Sequence, residues 1–297
     1  MLDSAAIAQF LAAGLTTGCG YALVALAIVV MANVSGVVNL AQGEYVAVGG
    51  LLLATLSAVH LPIVVSLLVV AAGGVALGVM QERFTVRPIQ NAPQFLQITV
   101  TLGVAVAIRG GAFLFWGKDA IGVPGFTGDD MLVIAGAIVP IQTLWIWFGT
   151  AAMLLIAFWV LSYTQIGRSV RACSINRHAA RLMGINPQRT SVLVFAAAGA
   201  ASTISGALLA PLVLASWDSG LTLGLKGLIA AIFGGFRSPL AAVVAGLVIG
   251  VLEAFISGLG SSDSKDVVLY GMLLAGLLVM GGVFARGRDR LRFGTST

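Results

Sequence analysis

A basic segment without acidic residues lies between two long apolar runs, and this arrangement strongly limits how the chain can fold. Residues 164–190 carry five arginines, Arg168, Arg171, Arg177, Arg181 and Arg189. Each flanking run, 144–161 and 191–214, is long enough to cross about 30 Å of hydrocarbon. Basic loops between apolar spans are typical of the cytoplasmic face of a membrane. The pattern therefore predicts an all-α, polytopic membrane protein.

Composition agrees with this prediction. The chain is 59% hydrophobic and only 9% charged, whereas soluble domains carry about 25% charged residues. The excess of positive charge does not indicate a nucleic-acid partner, because the arginines are spread over several loops and form no continuous basic patch.

The basic segment contains signals for a short helix of its own. Ser174 or Asn176 is placed to cap the N-terminus of a helix over residues 179–183, and Gly184 to end it. Arg177 and Arg181 stand four residues apart and would share a face. Two interpretations are open. The segment is either a docking surface for a cytoplasmic partner or a loop whose arginines only fix the orientation of the chain.

Several sequence blocks carry a resemblance to a known family. The strings GRSVRA and AARLMGIN of the basic segment are accompanied by YALVALAIVV, GVVNLAQGEY, ERFTVRPIQNAPQ, GLKGLIAAIFGG and GLVIGVLEAF. Together they resemble the permease subunits of ABC importers of the branched-chain amino acid family. In that family the basic segment docks into a groove on a cytoplasmic ATPase. The residues that this resemblance assigns to coupling are Arg168, Arg171, Asn176, Arg177, Ala179, Arg181, Leu182, Met183, Gly184 and Ile185.

The resemblance also implies partners and a location. It implies a bacterial inner-membrane permease that pairs with a second, related permease and with two ATPase subunits, which bind ATP and Mg. An extracytoplasmic binding protein would deliver the solute. The solute would be a branched-chain amino acid or a related small organic molecule, such as another amino acid, an amide, urea or an aromatic acid.

A cluster of polar residues leads into the second apolar segment. Asn39, Gln42 and Glu44 lie close to Gly36 and Gly43, which would allow an interrupted helix. Polar side chains at membrane depth are costly unless they face protein or water. We expect them to line the solute pathway or its inner gate. The alternative is an interfacial cap in which a neighbouring helix holds Glu44. The family that the chain resembles usually has His at position 42, and Gln removes any titration there.

Other polar residues within apolar segments complete the set of candidates. The candidate pathway-lining residues are Asn39, Gln42, Glu44, Thr99, Thr101, Ser205 and Lys226. Threonines in membrane helices commonly bond back to the helix backbone. Lys226 has an alternative structural use in an ion pair with Glu253 or Glu44. For Arg109 the alternatives are a side chain that extends to the outer interface and one that attracts an anionic group of the solute.

The distribution of Lys and Arg predicts the topology. We expect a single domain over residues 1–297 with eight or nine transmembrane helices, one or two of them broken, the N-terminus outside and the C-terminus cytoplasmic. The weakest spans are 33–58 and 223–258. The predicted cytoplasmic segments are 81–94, 164–190 and 286–297, and a small external hairpin is predicted within MLVIAGAIVPI.

The sequence offers little chemistry of its own. It contains no GxxxxGK[ST] motif, so the chain is not expected to bind ATP or another cofactor. His60 and His178 fall in different loops, which argues against a metal cluster or a Ser-His-Asp arrangement. A transporter driven by an ion gradient stays open as the alternative function, with Glu44 as its only acidic ion site.

Overall fold

The computed structural model describes residues 4–128, 130–134, 136–236 and 238–259, together with residues 267, 270, 271 and 274. Eleven α-helices lie within these ranges. They are α1 (Ser4–Ser35), α2 (Gln42–Ala58), α3 (Ile63–Gln81), α4 (Arg87–Ile89), α5 (Gln94–Trp116), α6 (Gln142–Tyr163), α7 (Gln165–Ile175), α8 (Arg177–Leu182), α9 (Pro187–Leu209), α10 (Ser219–Phe233) and α11 (Pro239–Leu259).

Six helices in the described ranges are long and apolar enough to cross a membrane, namely α1, α3 with its extension to Ile89, α5, α6, α9 and α11. The all-α polytopic class is thereby confirmed. The predicted number of spans and their orientation stay predictions. Asp3 and the basic tail 286–297 lie outside the described residues, as does most of the predicted span 267–285.

Two helices are too short for a full crossing. At 1.5 Å per residue, α2 extends about 25 Å and α10 about 22 Å, less than the roughly 30 Å of a hydrocarbon core. Their first turns meet, because a Cβ on Gly43 would overlap the backbone of Gly220 and Gly224. The predicted interruption within residues 33–58 is confirmed. The interruption occupies residues 36–41. Gly43 is not part of it, and instead allows the close contact between α2 and α10.

The α1–α11, α3–α9 and α2–α9 pairs form the centre of the bundle. Their contacts depend on glycine, because a Cβ on Gly199 would overlap the carbonyl oxygen of Gly74, and one on Gly206 that of Val46. Small residues that let helix backbones touch are the usual device for packing in lipid, where dispersion replaces the hydrophobic effect.

The remaining elements complete the two ends of the bundle. Strands β1 (Met131–Ile134) and β2 (Ala137–Pro140) pair antiparallel, which confirms the predicted hairpin. The segment 81–94 is not the simple polar loop that the sequence suggested. The helix of α3 continues through a π-helical turn, Glu82–Val86, into α4. Gln81 consequently faces the interior rather than the cytoplasm.

Candidate functional site

The chain breaks sharply between α1 and α2. Gly36 adopts a φ of 75°, a conformation that favours glycine. The Ser35 hydroxyl donates to the carbonyl oxygen of Met31 at 2.8 Å and accepts from the amide of Val37 at 3.1 Å. The amide of Ala41 donates to the Asn39 side chain at 3.0 Å. These bonds satisfy backbone groups that an interrupted helix would otherwise leave without hydrogen-bond partners in an apolar environment.

A buried network of amide side chains holds the break to its neighbours. Asn39 and Gln81 exchange two hydrogen bonds, of 2.9 and 2.7 Å. Asn39 also donates to Gln42 at 3.1 Å. Gln42 in turn donates to the carbonyl oxygen of Ala198 at 2.9 Å and to the hydroxyl of Ser202 at 2.6 Å. Asn39 and Gln42 are fully buried, so the network fixes the start of α2 against α3 and α9.

Glu44 forms an ion pair that the sequence did not indicate. Its Oε1 lies 2.5 Å from Nη2 of Arg109 on α5. The alternative in which Arg109 extends to the outer interface is therefore wrong, because its guanidinium turns toward the break. A neighbouring helix, α5, thus holds Glu44, and the role of the polar cluster as pathway or interfacial cap stays a prediction.

Lys226 forms another ion pair within the bundle. Its Nζ lies 2.5 Å from Oε1 of Glu253 on α11, and the hydroxyl of Tyr21 donates to Oε2 of Glu253 at 2.7 Å. Both oxygens of the carboxylate are thus satisfied. The predicted ion pair of Lys226 is confirmed, and its partner is Glu253 rather than Glu44.

The other candidate pathway residues do not join these clusters. Thr99 is exposed on α5 and donates to the carbonyl oxygen of Phe95 at 2.9 Å, the ordinary back-bond. Thr101 is buried and donates to the carbonyl oxygen of Val38 within the break at 3.3 Å. Ser205 is buried in α9, and its hydroxyl has no partner among the described residues.

The basic segment is a structured pair of short helices, α7 and α8. Asn176 caps α8 by accepting from the amides of His178 and Ala179 at 2.9 and 3.0 Å. Gly184 follows with a φ of 81°, the left-handed stop that glycine favours. Asn176 is thus the cap, and Ser174 is not. The sequence did not indicate α7, which packs Gly167, Val170 and Cys173 inward.

Of the five arginines, Arg171 and Arg177 donate side-chain hydrogen bonds to the bundle, and Arg168, Arg181 and Arg189 are exposed. Arg177 is half-buried, and it donates to the carbonyl oxygen of Ser35 at 3.0 Å and to Oε1 of Gln90 at 3.2 Å. Arg171 donates to the carbonyl oxygen of Leu161 near the end of α6. Arg177 turns inward and holds the end of α1, whereas the side chain of Arg181 stays exposed.

Burial perturbs the guanidinium of Arg177. Removal from water lowers the pKa of Arg177 from its usual range, and the nearby positive charge of Arg181 acts in the same direction. A guanidinium nevertheless stays protonated in proteins. The two hydrogen bonds of Arg177 are therefore charge-assisted, which makes them stronger than bonds between neutral groups.

The tip of the basic segment exposes a cluster of large apolar side chains. Ile175, Leu182 and Met183 are 85%, 78% and 82% exposed. Ala179 is exposed and Ile185 is half-buried. The sequence suggested Leu182 and Met183 but missed Ile175. The alternation of buried and exposed positions along α7 is the signal that would have found it. Apolar residues clustered outside the membrane mark a surface that a partner covers.

The described residues offer no group of three or more His, Cys, Asp or Glu side chains that could hold a metal ion. The geometry is instead that of a helical membrane bundle with a polar break, internal ion pairs and a basic segment of two short helices. It defines a multi-pass membrane transport protein.

Comparison with known proteins specifies the class further. The chain belongs to the family described as the permease component of branched-chain amino acid transport systems, whose model matches residues 10–277. It is thus a permease subunit of an ABC importer in the bacterial inner membrane. No solved structure matches the chain significantly.

Named relatives are similar over most of their length. The chain is 30% identical to the high-affinity branched-chain amino acid transport system permease protein LivH of Salmonella typhimurium, over 90% of this chain and 91% of that protein. It is 25% identical to the corresponding protein BraD of Pseudomonas aeruginosa, over 91% and 92%. It is 27% identical to the L-arabinose transport system permease protein AraH of Escherichia coli, over 61% of this chain and 56% of that protein.

Proposed function

We propose that this subunit forms one half of a solute pathway and that its basic segment connects the pathway to ATP hydrolysis. The other half would be a second, related permease, and two cytoplasmic ATPase subunits would bind ATP and Mg. An extracytoplasmic protein would deliver the solute. The names of the relatives favour a branched-chain amino acid or a related small organic molecule as the solute. The N-terminus would lie outside the membrane and the C-terminus in the cytoplasm.

The apolar tip of the basic segment supports docking to the ATPase. Interfaces depend on a few apolar or aromatic side chains that fill pockets, and charges at the rim set the orientation. Ile175, Leu182 and Met183 would fill such a groove, with Arg181 and Arg168 at its rim. The cap at Asn176 and the stop at Gly184 hold these side chains in place before docking.

The observation that carries the coupling proposal is the contact between Arg177 and Ser35. Arg177 is the first residue of α8, and Ser35 is the last residue of α1, directly before the glycine of the break. A movement of α8 is thereby transmitted to the point where the chain changes direction. Gln90 accepts from the same guanidinium, so the cytoplasmic turn between α3 and α5 would move with it.

The polar break would then serve as the inner gate. Its amides can exchange one set of hydrogen bonds for another without leaving a charge unpaired in the membrane. A displacement of the start of α2 would separate Asn39 from Gln81 and Gln42 from Ser202. We propose that these side chains face the pathway in the open state, and that Thr101 follows them through its bond to Val38.

The large apolar faces of α5 and α6 support assembly in the membrane. Phe95 and Leu114 are 81% exposed on α5, and Phe148 and Leu155 are similarly exposed on α6. Apolar surface of this extent is expected to contact lipid or another membrane subunit.

Substitutions at the tip test the docking proposal. Leu182→Asp would place a charge in an apolar groove and desolvate it. Gly184→Val would disfavour the left-handed stop and misdirect the apolar residues. Both variants should lose solute-stimulated ATP hydrolysis and transport in the reconstituted transporter, while the subunit still inserts and folds.

The matched control is Leu182→Met, which keeps an apolar side chain of similar volume and should retain activity. Copurification with the ATPase subunits shows whether the loss arises from docking. Normal coupled hydrolysis in both Leu182→Asp and Gly184→Val would mean that the segment only fixes orientation.

A further inference from the structure

A small cavity borders the break between α1, α5 and α10. Its volume is about 80 Å³. Apolar side chains of the three helices form most of the wall, including Ile28, Leu102 and Leu225, and the polar residues at its edge are Asn39, Gln42 and Arg109. Arg109 is the charged residue of this lining, and its guanidinium is the donor group that the cavity offers to a ligand.

Arg109 lies in the outer half of the bundle if the proposed orientation holds. It is 15 residues from the start of α5 and 7 from its end, or about 22 Å and 10 Å along the helix. The amide network of Asn39 and Gln81 lies farther toward the cytoplasmic end, because Gln81 is the last residue of α3. A solute that enters from outside would meet Arg109 before the gate.

The ion pair of Arg109 leaves capacity for a further partner. Nη2 of Arg109 bonds to Oε1 of Glu44, whereas the buried Nε of Arg109 and the buried Oε2 of Glu44 have no partner among the described residues. The side chain of Arg109 is 23% exposed and that of Glu44 is 2% exposed. The guanidinium is therefore the group that a solute can reach.

The Lys226–Glu253 pair shows what a satisfied internal pair looks like in the same bundle. Both oxygens of the Glu253 carboxylate accept hydrogen bonds, from Lys226 and from Tyr21. A buried polar atom without a partner is costly, and in native proteins it commonly indicates a functional role. The Arg87–Glu82 pair also leaves an Oε and an Nε without a partner among the described residues. The Arg109–Glu44 pair differs from both other pairs because Arg109 borders the cavity.

We propose that Arg109 binds the carboxylate of the transported solute and that Glu44 holds the guanidinium in position between transport cycles. A guanidinium presents a planar fork of donors that matches a carboxylate. The apolar wall of the cavity would contact the nearest part of the solute body. The inference rests on the proposed function, in which the break borders the pathway.

The size of the cavity limits what it holds in this state. A volume of 80 Å³ is the share of two to three water molecules, at about 30 Å³ each. The carboxylate and the adjoining carbon fit, and the rest of the solute would extend toward the open side of α5. The ligand class is a small organic carboxylate, either an amino acid or a simple carboxylic acid.

Ligand-dependent stabilisation of the purified, assembled transporter tests the site without requiring transport. The probes are leucine, 4-methylpentanoate and isopentylamine, which share an apolar body and differ in their charged groups. Leucine should raise the unfolding temperature. Equal protection by 4-methylpentanoate would identify a simple carboxylate site, and protection by leucine alone would identify a site that also requires the ammonium group of an amino acid. Protection by isopentylamine alone, or by none of the probes, would overturn the proposal.

Variants separate binding from structural pairing. Arg109→Lys keeps the charge but loses the fork of donors, and it should weaken protection by about tenfold in ligand concentration. The double variant Glu44→Gln/Arg109→Gln removes both charges together, so it should assemble but show no protection. Protection that is unchanged in the assembled double variant would show that the pair is only structural.

A variant of the basic segment keeps the two proposals distinguishable. Leu182→Asp should lose coupled ATP hydrolysis and still be protected by the ligand, because the substitution lies far from the cavity. Failure of the docking proposal would leave coupled hydrolysis intact in Leu182→Asp. Failure of the carboxylate site would leave protection intact when Arg109 is replaced.

Discussion

The Lys226–Glu253 pair offers a quantitative test of the packing between α10 and α11. The side chains of Lys226 and Glu253 are only 4% and 10% exposed. At 2.5 Å and an effective dielectric constant of about 20, their attraction is roughly 7 kcal/mol. Desolvation of the two charges offsets much of this. The informative quantity is therefore the cost of removing one partner and leaving the other buried.

We expect Lys226→Met to lower the free energy of unfolding by about 3–5 kcal/mol, because it leaves the carboxylate of Glu253 without its cation. Glu253→Gln keeps an acceptor for Tyr21 but removes the negative charge that faces the ammonium group, so it should cost a similar amount. The double variant Lys226→Met/Glu253→Gln leaves neither charge and should recover most of the loss.

Denaturant unfolding of the purified subunit in mixed detergent micelles measures the change in unfolding free energy for the two single variants and the double variant. Solute uptake by the reconstituted transporter is measured for the same variants. The coupling energy of the double-mutant cycle should be about 5 kcal/mol or more, because two single losses of about 3 kcal/mol or more are replaced by a double loss of about 1 kcal/mol. The double variant should transport. Losses that add within about 0.5 kcal/mol, or a stable double variant without transport, would refute a purely structural pair.

Two further predictions concern packing and orientation. Gly199→Ala should destabilise the subunit by about 2 kcal/mol or more, because the added Cβ meets backbone atoms of α3. The control Gly103→Ala has nothing near its Cβ and should stabilise α5 by about 0.5–1 kcal/mol. Equal effects of the two substitutions on the free energy of unfolding would argue against the α3–α9 contact. In a variant without native cysteines, Ser174→Cys should be shielded from an impermeant thiol reagent in intact cells while Lys118→Cys reacts, and the opposite labelling would invert the topology.

The sequence specified those parts of the fold that depend on local pattern. Apolar runs located the membrane helices, and the polar cluster at Asn39–Glu44 located the break between α1 and α2. Asn176 and Gly184 have local backbone preferences for a helix cap and a helix stop. The sequence therefore predicted the bounds of α8 to within two residues. The hairpin followed from its turn residues.

Features that depend on which helices are neighbours could not be predicted. A sequence shows that Glu44, Arg109, Lys226 and Glu253 are costly in a membrane, but it does not show how they pair. The pairing depends on helix contacts that glycine-mediated packing determines. The inward turn of Arg177 has the same origin, because its acceptors are the end of α1 and the turn before α5.

The role of Arg177 tests the central claim most directly, because its hydrogen bond joins α8 to the residue before the break. The measurement is solute-stimulated ATP hydrolysis by the assembled transporter with Arg177→Gln, compared with Arg168→Gln, which changes an exposed arginine of the same segment. We expect the Arg177→Gln transporter to retain its ATPase subunits and to show solute-stimulated ATP hydrolysis at least about fivefold lower than the unaltered protein. The Arg168→Gln transporter should hydrolyse ATP at close to the unaltered rate. Equal stimulation in the two variants would contradict transmission through the α8–α1 contact.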